Sequence, residues 1–316
     1  MFLRAFLSLL CLLVVPGRAE ERFDFSGPGM ATTFRLACYA TDRAMAEQAA
    51  AACFERIAQL HAVCTDYDPT SELMRLCAPE AVHPTRVSPE LFGVLERAMA
   101  LAVATDGAFH PACGPLTQLW RRARRMGELP PPERVRRGLE AAARWREIRL
   151  DSTSREVTLP AGTLLDLGGI AKGHAADACL RVLREHGIDR AVVQAGGDTA
   201  VGNPPPESEG WEIKLRTFTR PGDTDELRVL KLANCAVSTS GDLYQFMEIG
   251  GVRYSHIVSP VTGLGLTERI ACSVIAGDCA TSDALATAMC VLGPERGRAL
   301  AEKLGVQAIF ALPPKP

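Results

Sequence analysis

The chain has 316 residues, 47% hydrophobic and 23% charged, without a long polar tract, which excludes a disordered or fibrous protein. That length holds one large domain or two intimately packed lobes. A formal net charge of −2 gives no ground for nucleic acid as a partner.

Arg4 precedes an apolar run from Phe6 to Val15, and Pro16-Gly17-Arg18-Ala19 follows. This is the layout of a secretory leader cleaved after Ala19, and no apolar run reaches the roughly 18 residues of a membrane span. A buried N-terminal helix is the alternative. Leu10 before Cys11 does not suit a lipid anchor. Residues 1–19 are therefore expected to be a signal peptide. Residues 20–316 are expected to form one exported domain, periplasmic or in the cell envelope and soluble after cleavage. Loss of Arg4 and Arg18 leaves 33 basic side chains against 37 acidic, a net charge of −4. Ten cysteines remain, none in a CxxC or zinc-like spacing, and most are expected to be buried thiols, with one or two bridges left open.

Thr32 to Tyr39 reads as a strand, and Asp42 to Leu60 as an amphipathic helix striped by Met45, Ala49, Ala52, Cys53 and Ile57. A second helix opens on Ser88-Pro89 and stops at Gly107. The Arg-rich stretch from Arg121 to Arg137 encloses Pro130-Pro131-Pro132 and reads as a solvated loop and helix face. Trp145 to Leu159 reads as a hairpin, and residues 164–167 as a strand that turns at Gly168-Gly169 into a helix reaching His186. Strands are expected at Ala191–Gln194, Trp211–Arg216, Cys235–Ser238 and Arg269–Ile275. Helices over Ser282–Leu292 and Pro294–Leu304 precede a last strand at Gln307–Leu312. Without a regular βαβ rhythm, the class is α+β, with a catalytic face shared between two lobes.

Three segments carry chemistry. In Leu165-Asp166-Leu167-Gly168-Gly169-Ile170-Ala171-Lys172-Gly173 a carboxylate, a glycine turn and a helix start adjoin a lysine. Free N–H groups there, with Lys172, suit a pyrophosphate, although a structural turn fits equally. The segment is neither GxGxxG nor a Walker loop. In Thr281-Ser282-Asp283-Ala284-Leu285-Ala286-Thr287, Asp283 and Thr287 share a helix face and form a hard-oxygen pair suited to magnesium. Helix capping by Thr281 or Ser282 is the competing account. In Tyr254 to Gly263, His256 suits a general base, a phosphate donor or a structural role at a strand end. Gly196-Gly197-Asp198 adds a tight turn bearing a carboxylate. Gly107-Ala108-Phe109-His110, with Trp120 beyond it, adds aromatic groups able to stack on flat rings.

Together these segments resemble the FAD:protein FMN transferase family, the ApbE-type flavin transferases, from about Gly29 to the C-terminus. Met30-Ala31-Thr32, Tyr67 with Ser71-Glu72-Leu73, Gly107-Ala108-Phe109, Asp166 to Gly173, Gly196-Gly197-Asp198, Thr239-Ser240-Gly241-Asp242, His256-Ile257 and Ser282 to Thr287 follow the family order. The resemblance implies two packed lobes of mixed or antiparallel sheet with helices, and FAD between them. It places Met30, Tyr67, Ala108, Phe109, His110, Asp166, Lys172 and Ile257 at FAD-contacting positions. It places the Gly169 carbonyl, Asp283 and Thr287 at the Mg2+ positions, and His256 at a proton-transferring histidine. The implied activity is magnesium-dependent transfer of FMN from FAD to a Thr or Ser hydroxyl of an acceptor protein, with release of AMP. Such acceptors are often membrane-bound electron-transfer subunits. His110, Ser259 and Val261 depart from the family's usual Asp, Asp and Arg, and His110 is expected to weaken transfer most, since an imidazole can donate and, at mildly acidic pH, carry charge. An FAD pyrophosphatase and a non-catalytic exported FAD-binding protein are the alternatives.

Overall fold

Leu36 and Cys38 face one side of strand β2 (Thr32–Ala40) while Ala37 and Tyr39 face the other, and this period of two builds two layers onto one sheet. The structure is a computed structural model that describes residues 19–216, 218, 227–242 and 246–313. The expected leader, apart from Ala19, lies outside the described residues. β1 (Glu21–Gly29) pairs with β2 as a hairpin turning at Met30 and Ala31, both at positive φ. α1 (Arg43–Cys64), α2 (Glu72–Leu76), the short β3 (Thr85–Arg86) and α3 (Pro89–Ala104) follow. Then come α4 (Gly114–Met126), α5 (Pro132–Ala142), β4 (Arg149–Asp151), β5 (Glu156–Thr158) and α6 (Ala171–Glu185). β6 (Ala191–Ala195), β7 (Asp198–Val201), β8 (Trp211–Arg216), β9 (Leu227–Leu232) and β10 (Cys235–Gly241) come next. β11 (Phe246–Ile249), β12 (Val252–Ser255), β13 (Ala271–Ala276), α7 (Cys279–Leu304) and β14 (Gln307–Ala311) complete the order.

Seven strands form an antiparallel sheet in the order β1-β2-β6-β7-β10-β13-β14. On one face Phe34, Leu36, Val193 and Ala200 pack against Ala49, Cys53 and Ile57 of α1 and Ala175 and Cys179 of α6. On the other, Ala37, Val192 and Val237 meet Trp211, Ile213 and Leu215 of the β8–β9 hairpin. A further core gathers Leu91 and Leu95 of α3, Trp145, Leu167, Ile170 and Met289 of α7. Met30 packs against this core and against the α1–α6 core, so the first hairpin turn marks where the halves meet. The expected α+β class and two packed lobes are what the structure has.

Boundaries differ where tertiary contacts decide. α1 runs one turn past Leu60, with Asp42 capping it by accepting from Met45 N–H at 2.9 Å. Residues 164–167 are extended but belong to no sheet: Leu165 N–H meets the Cys77 thiol, and Asp166 N–H donates to the Pro111 carbonyl at 2.7 Å. The two expected C-terminal helices are one element broken at Gly293 (φ +77°), ahead of Pro294, and it begins at Cys279 rather than Ser282. The Arg-rich stretch is, as expected, an exposed loop, residues 127–131, between solvent-facing sides of the helices α4 and α5. The ten cysteines from Cys38 to Cys290 are free thiols, and burial pushes those of Cys38 and Cys77 up to about 11, which leaves them inert hydrophobes at neutral pH.

The crossing of α6 and α7 positions the site. A Cβ on Gly173 would lie 2.3 Å from the Cys279 carbonyl oxygen. Only glycine lets the first turn of α6 rest on the start of α7. Asp177 of α6 then accepts from Cys279 and Ala280 N–H at 2.9 Å each, capping α7 from its neighbour. Glycine within a helix ordinarily costs about 1 kcal/mol relative to alanine. The sign is expected to reverse here: Gly173→Ala lowers stability by about 1–3 kcal/mol through overpacking against backbone. Urea unfolding checks this, and an unchanged or raised midpoint would contradict the packing described.

Candidate active site

Four elements converge on the Gly168-Gly169 turn. Asp166 precedes it and accepts from Gly168 N–H through Oδ1 at 2.7 Å, which closes the turn. Lys172, in the first turn of α6, aims its ammonium back over it, 3.2 Å from the Gly168 carbonyl oxygen. The same Nζ lies 3.1 Å from Asp198 Oδ2 at the start of β7 and 3.4 Å from Asp283 Oδ2 on α7. The Asp198 contact is ionic, off hydrogen-bond geometry. Asp283 Oδ2 also accepts from Gly173 N–H at 3.2 Å.

The electrostatics follow from burial. Removing Lys172 from water pulls its pKa down, yet Asp198 and then Asp283 outweigh this, and the net shift is upward, so the ammonium stays charged. Burial and the nearby Asp198 push the Asp283 carboxyl well above the usual range, against the opposing pull of Lys172 and Gly173 N–H. Two buried carboxylates share one ammonium, an arrangement that retains negative charge.

Gly169 is flanked by Phe109 and Thr287: a Cβ there would stand 3.3 Å from the Phe109 ring and 3.6 Å from Thr287 Oγ1. Thr287 Oγ1 also pairs with Ser240 Oγ at 3.1 Å. Carboxylates of Asp283 and Asp198, hydroxyls of Thr287 and Ser240 and the backbone at Gly169 are hard-oxygen donors, and they fit a magnesium ion. Among the described residues no three His, Cys, Asp or Glu side chains gather into a group able to hold a metal by themselves, so carbonyl, hydroxyl or ligand oxygens must complete such a site.

A second corner is built around Arg121 of α4. Its guanidinium donates to Asp66 and, at 2.8 Å, to Asp166 Oδ2, and it covers one face of the Tyr67 ring at 4.3 Å from the centroid. Tyr67 is 73% exposed, leaving its other face open for a flat ligand. Burial first, then Asp166, raises the Asp66 pKa, and Arg121 opposes both.

Elsewhere the site is fixed by packing. Thr32, just after Met30, has its hydroxyl 3.3 Å from where a Gly196 Cβ would stand, so the first hairpin turn abuts the Gly196-Gly197 turn ahead of Asp198. Phe109 N–H donates to the Thr105 hydroxyl at 3.2 Å, and Ala108 is partly buried beside the same core. His110 is buried, lies parallel to Trp145 at 5.9 Å, and has no partner on Nδ1 among the described residues. Burial, then Arg146, moves its pKa down to about 4, so the expected charge at mildly acidic pH is corrected: the imidazole is neutral there. His256 leaves β12 just before Ile257, which is buried in the core that holds Phe109 and Leu167.

Two expectations are corrected. The start of α6 is not an open anion cradle, because the N–H groups of Ile170 and Ala171 donate to Leu167 and that of Gly173 to Asp283. Trp120 offers no stacking face: it is 1% exposed, its ring meets Tyr254 edge-on at 5.4 Å, and its Nε1–H donates to the Ser255 carbonyl at 3.0 Å. Ser259 is buried and its hydroxyl accepts from Val261 and Thr262 N–H, while Val261 is 79% exposed, so these two departures leave no buried group unbonded. The sequence reading missed Arg121 and Asp66, and it gave Asp198 as a carboxylate on a tight turn near the ligand without pairing it with Lys172. The glycine pair before Asp198 was the available signal. Nothing along the chain separates Arg121 from the arginines beside it.

Arg121→Gln leaves Asp66 and Asp166 facing each other without their cation. Removing one member of a buried ionic group costs about 3 kcal/mol or more. The Asp66 carboxyl, which Arg121 holds down against burial and Asp166, then rises further above its unfolded value, so the deficit is small at low pH, where it binds a proton, and grows as pH rises toward 8. Unfolding curves at acidic and mildly alkaline pH check this, and a deficit independent of pH would contradict it.

The ApbE family model matches residues 30–310. The FAD:protein FMN transferase of Treponema pallidum is 35% identical over 261 residues, covering 78% of this chain and 72% of that protein. That of Vibrio cholerae is 29% identical over 307 residues, covering 93% and 89%. The crystal structure of the Pseudomonas stutzeri flavinyl transferase ApbE in its apo form superposes with a TM-score of 0.83 at 25% identity, covering 94% of this chain and 93% of that one. With a family match spanning both lobes and every segment that builds the Lys172 cluster, the chain belongs to the ApbE family.

Proposed function

We propose that the chain is a FAD:protein FMN transferase, moving FMN from FAD to a Thr or Ser hydroxyl of an acceptor protein and releasing AMP. The observation that carries this reading is the Lys172 ammonium between Asp198 and Asp283 at the Gly168-Gly169 turn. A pyrophosphate needs fixed positive charge, and Lys172 supplies it in a form that stays protonated. The acceptor oxygen forms a bond to the phosphorus of the FMN half, the bridging P–O bond breaks, and AMP leaves with the bridging oxygen. The hydroxyl proton goes to His256, the base in this reading. Magnesium would be held by Asp283, Thr287 and the Gly169 carbonyl, and when bound it offsets charge on the pyrophosphate. Tyr67, braced by Arg121, offers a stacking face for one of the flat rings of FAD, and Met30, Ala108, Phe109, His110 and Ile257 are the further residues assigned to FAD contact in this reading.

In the same reading, residues 1–19 are a leader and the mature domain works outside the cytoplasm, on a membrane-bound electron-transfer subunit facing that compartment. No described helix is long and apolar enough to cross a membrane.

Incubation with FAD, magnesium and an acceptor domain bearing a single threonine, followed by intact-mass measurement and chromatography of nucleotides, tests the reading. The expected products are an acceptor carrying FMN and an equal amount of AMP. Free FMN with unmodified acceptor makes the protein a pyrophosphatase, and unchanged FAD makes it a binder; either outcome overturns the proposal. Asp283→Ala is expected to lower turnover by at least about a hundredfold while preserving the fold, in line with the loss of a metal-orienting group. Parent-like turnover in that variant at low magnesium would remove Asp283 from the metal site.

A further inference from the structure

We infer that the exposed arginine face of α4 and α5 docks an acidic segment of the acceptor protein next to its modified hydroxyl, an inference that rests on the transferase reading. The chain as a whole is net negative, yet Arg122, Arg124 and Arg125 of α4 and Arg134 and Arg137 of α5 are all exposed. Among the described residues none of these five has an ion-pair partner, whereas Arg136 nearby pairs with Glu140 at 2.7 Å. Such a cluster of unpaired cations favours an anionic partner.

Its position ties it to the site. Arg121, which reaches Asp166, lies three and four residues before Arg124 and Arg125 on the same side of α4, so the charged stripe starts at the edge of the Tyr67 corner. The other end of the site is also close. The loop after His256 rests on the two helices: a Cβ on Gly263 would stand 2.7 Å from Val135 of α5 and 3.1 Å from Leu116 of α4. Trp120 holds the carbonyl of Ser255, immediately before His256. Those contacts are made by the packed sides of α4 and α5, so an acidic segment lying on their exposed arginines reaches the site past the Tyr67 corner. The arginines of the two helices are interrupted by Glu128 and Glu133, which suits an extended acidic chain better than the plane of a lipid surface.

The test uses the full chain with FAD and magnesium and two fluorescent synthetic peptides, each with one threonine, flanked by glutamates in one and lysines in the other. At low salt the acidic peptide is expected to bind about tenfold tighter, with the preference shrinking toward about 0.15 M salt, where screening sets in within roughly 8 Å. The triple variant Arg122→Glu/Arg124→Glu/Arg125→Glu should reverse the preference, the corresponding Gln variant should abolish it, and FAD fluorescence should report unchanged FAD binding in both. Equal binding of the two peptides, or a preference that survives charge reversal, overturns the inference. So does displacement of the acidic peptide by phosphatidylglycerol vesicles that bind more tightly, which assigns the face to a membrane. If the preference holds and reverses as stated but neither peptide acquires FMN, the docking surface stands and the transferase reading fails.

Discussion

The structure depends on one ammonium. Lys172 sits where α6, β7 and α7 meet, and without it Asp198 and Asp283 would face each other buried and unpaired. With both carboxyls ionised, two negative charges face one lysine, and that excess favours a further cation. The same charge arrangement explains why the glycines matter. Gly173 lets α6 approach α7 closely enough for Lys172 and Asp283 to share a bond, and Gly168 closes the turn onto which Lys172 folds back.

Helix α4 does for the rest of the site what α6 does for this cluster. Adjacent residues on it point to different parts of the pocket: Trp120 fixes the strand that ends at His256, and Arg121 fixes Asp166 and braces Tyr67. The Gly168-Gly169 turn, the open face of Tyr67 and the strand before His256 are thereby held by one rigid element. A group placed this way is preorganised, and holding reacting groups in place is the larger part of catalysis in phosphoryl transfer.

The chemistry of the site was legible in the chain to the extent that it is local. Asp283 and Thr287 share a helix face at a spacing of four, and Asp166, the glycine pair and Lys172 are neighbours in sequence. The α+β class followed from interspersed strands and helices, and Gly293-Pro294 marked the break in the last helix. What was not legible depends on contacts between distant segments. An arginine among arginines gives no sign that it alone turns inward. Trp120 looked like a ligand platform because an exposed and a buried indole have the same letter. Residues 164–167 have the composition of a strand, but their N–H groups go to Cys77 and Pro111 from other elements, and no ladder forms. β1 was missed because its alternation of Phe23 and Phe25 with polar residues is short and follows directly on residues 1–19, which were read apart from the fold.

The central claim is that the Lys172 charge offsets the buried carboxylates and meets the pyrophosphate. FAD affinity, read by flavin fluorescence across a magnesium series, tests it most directly in the parent and in Lys172→Met. The account predicts that at low magnesium the variant binds FAD at least about tenfold more weakly, a loss of the size expected for a charge-assisted contact, with part of the affinity regained as magnesium rises. Equal FAD affinity of parent and variant at every magnesium concentration would contradict it.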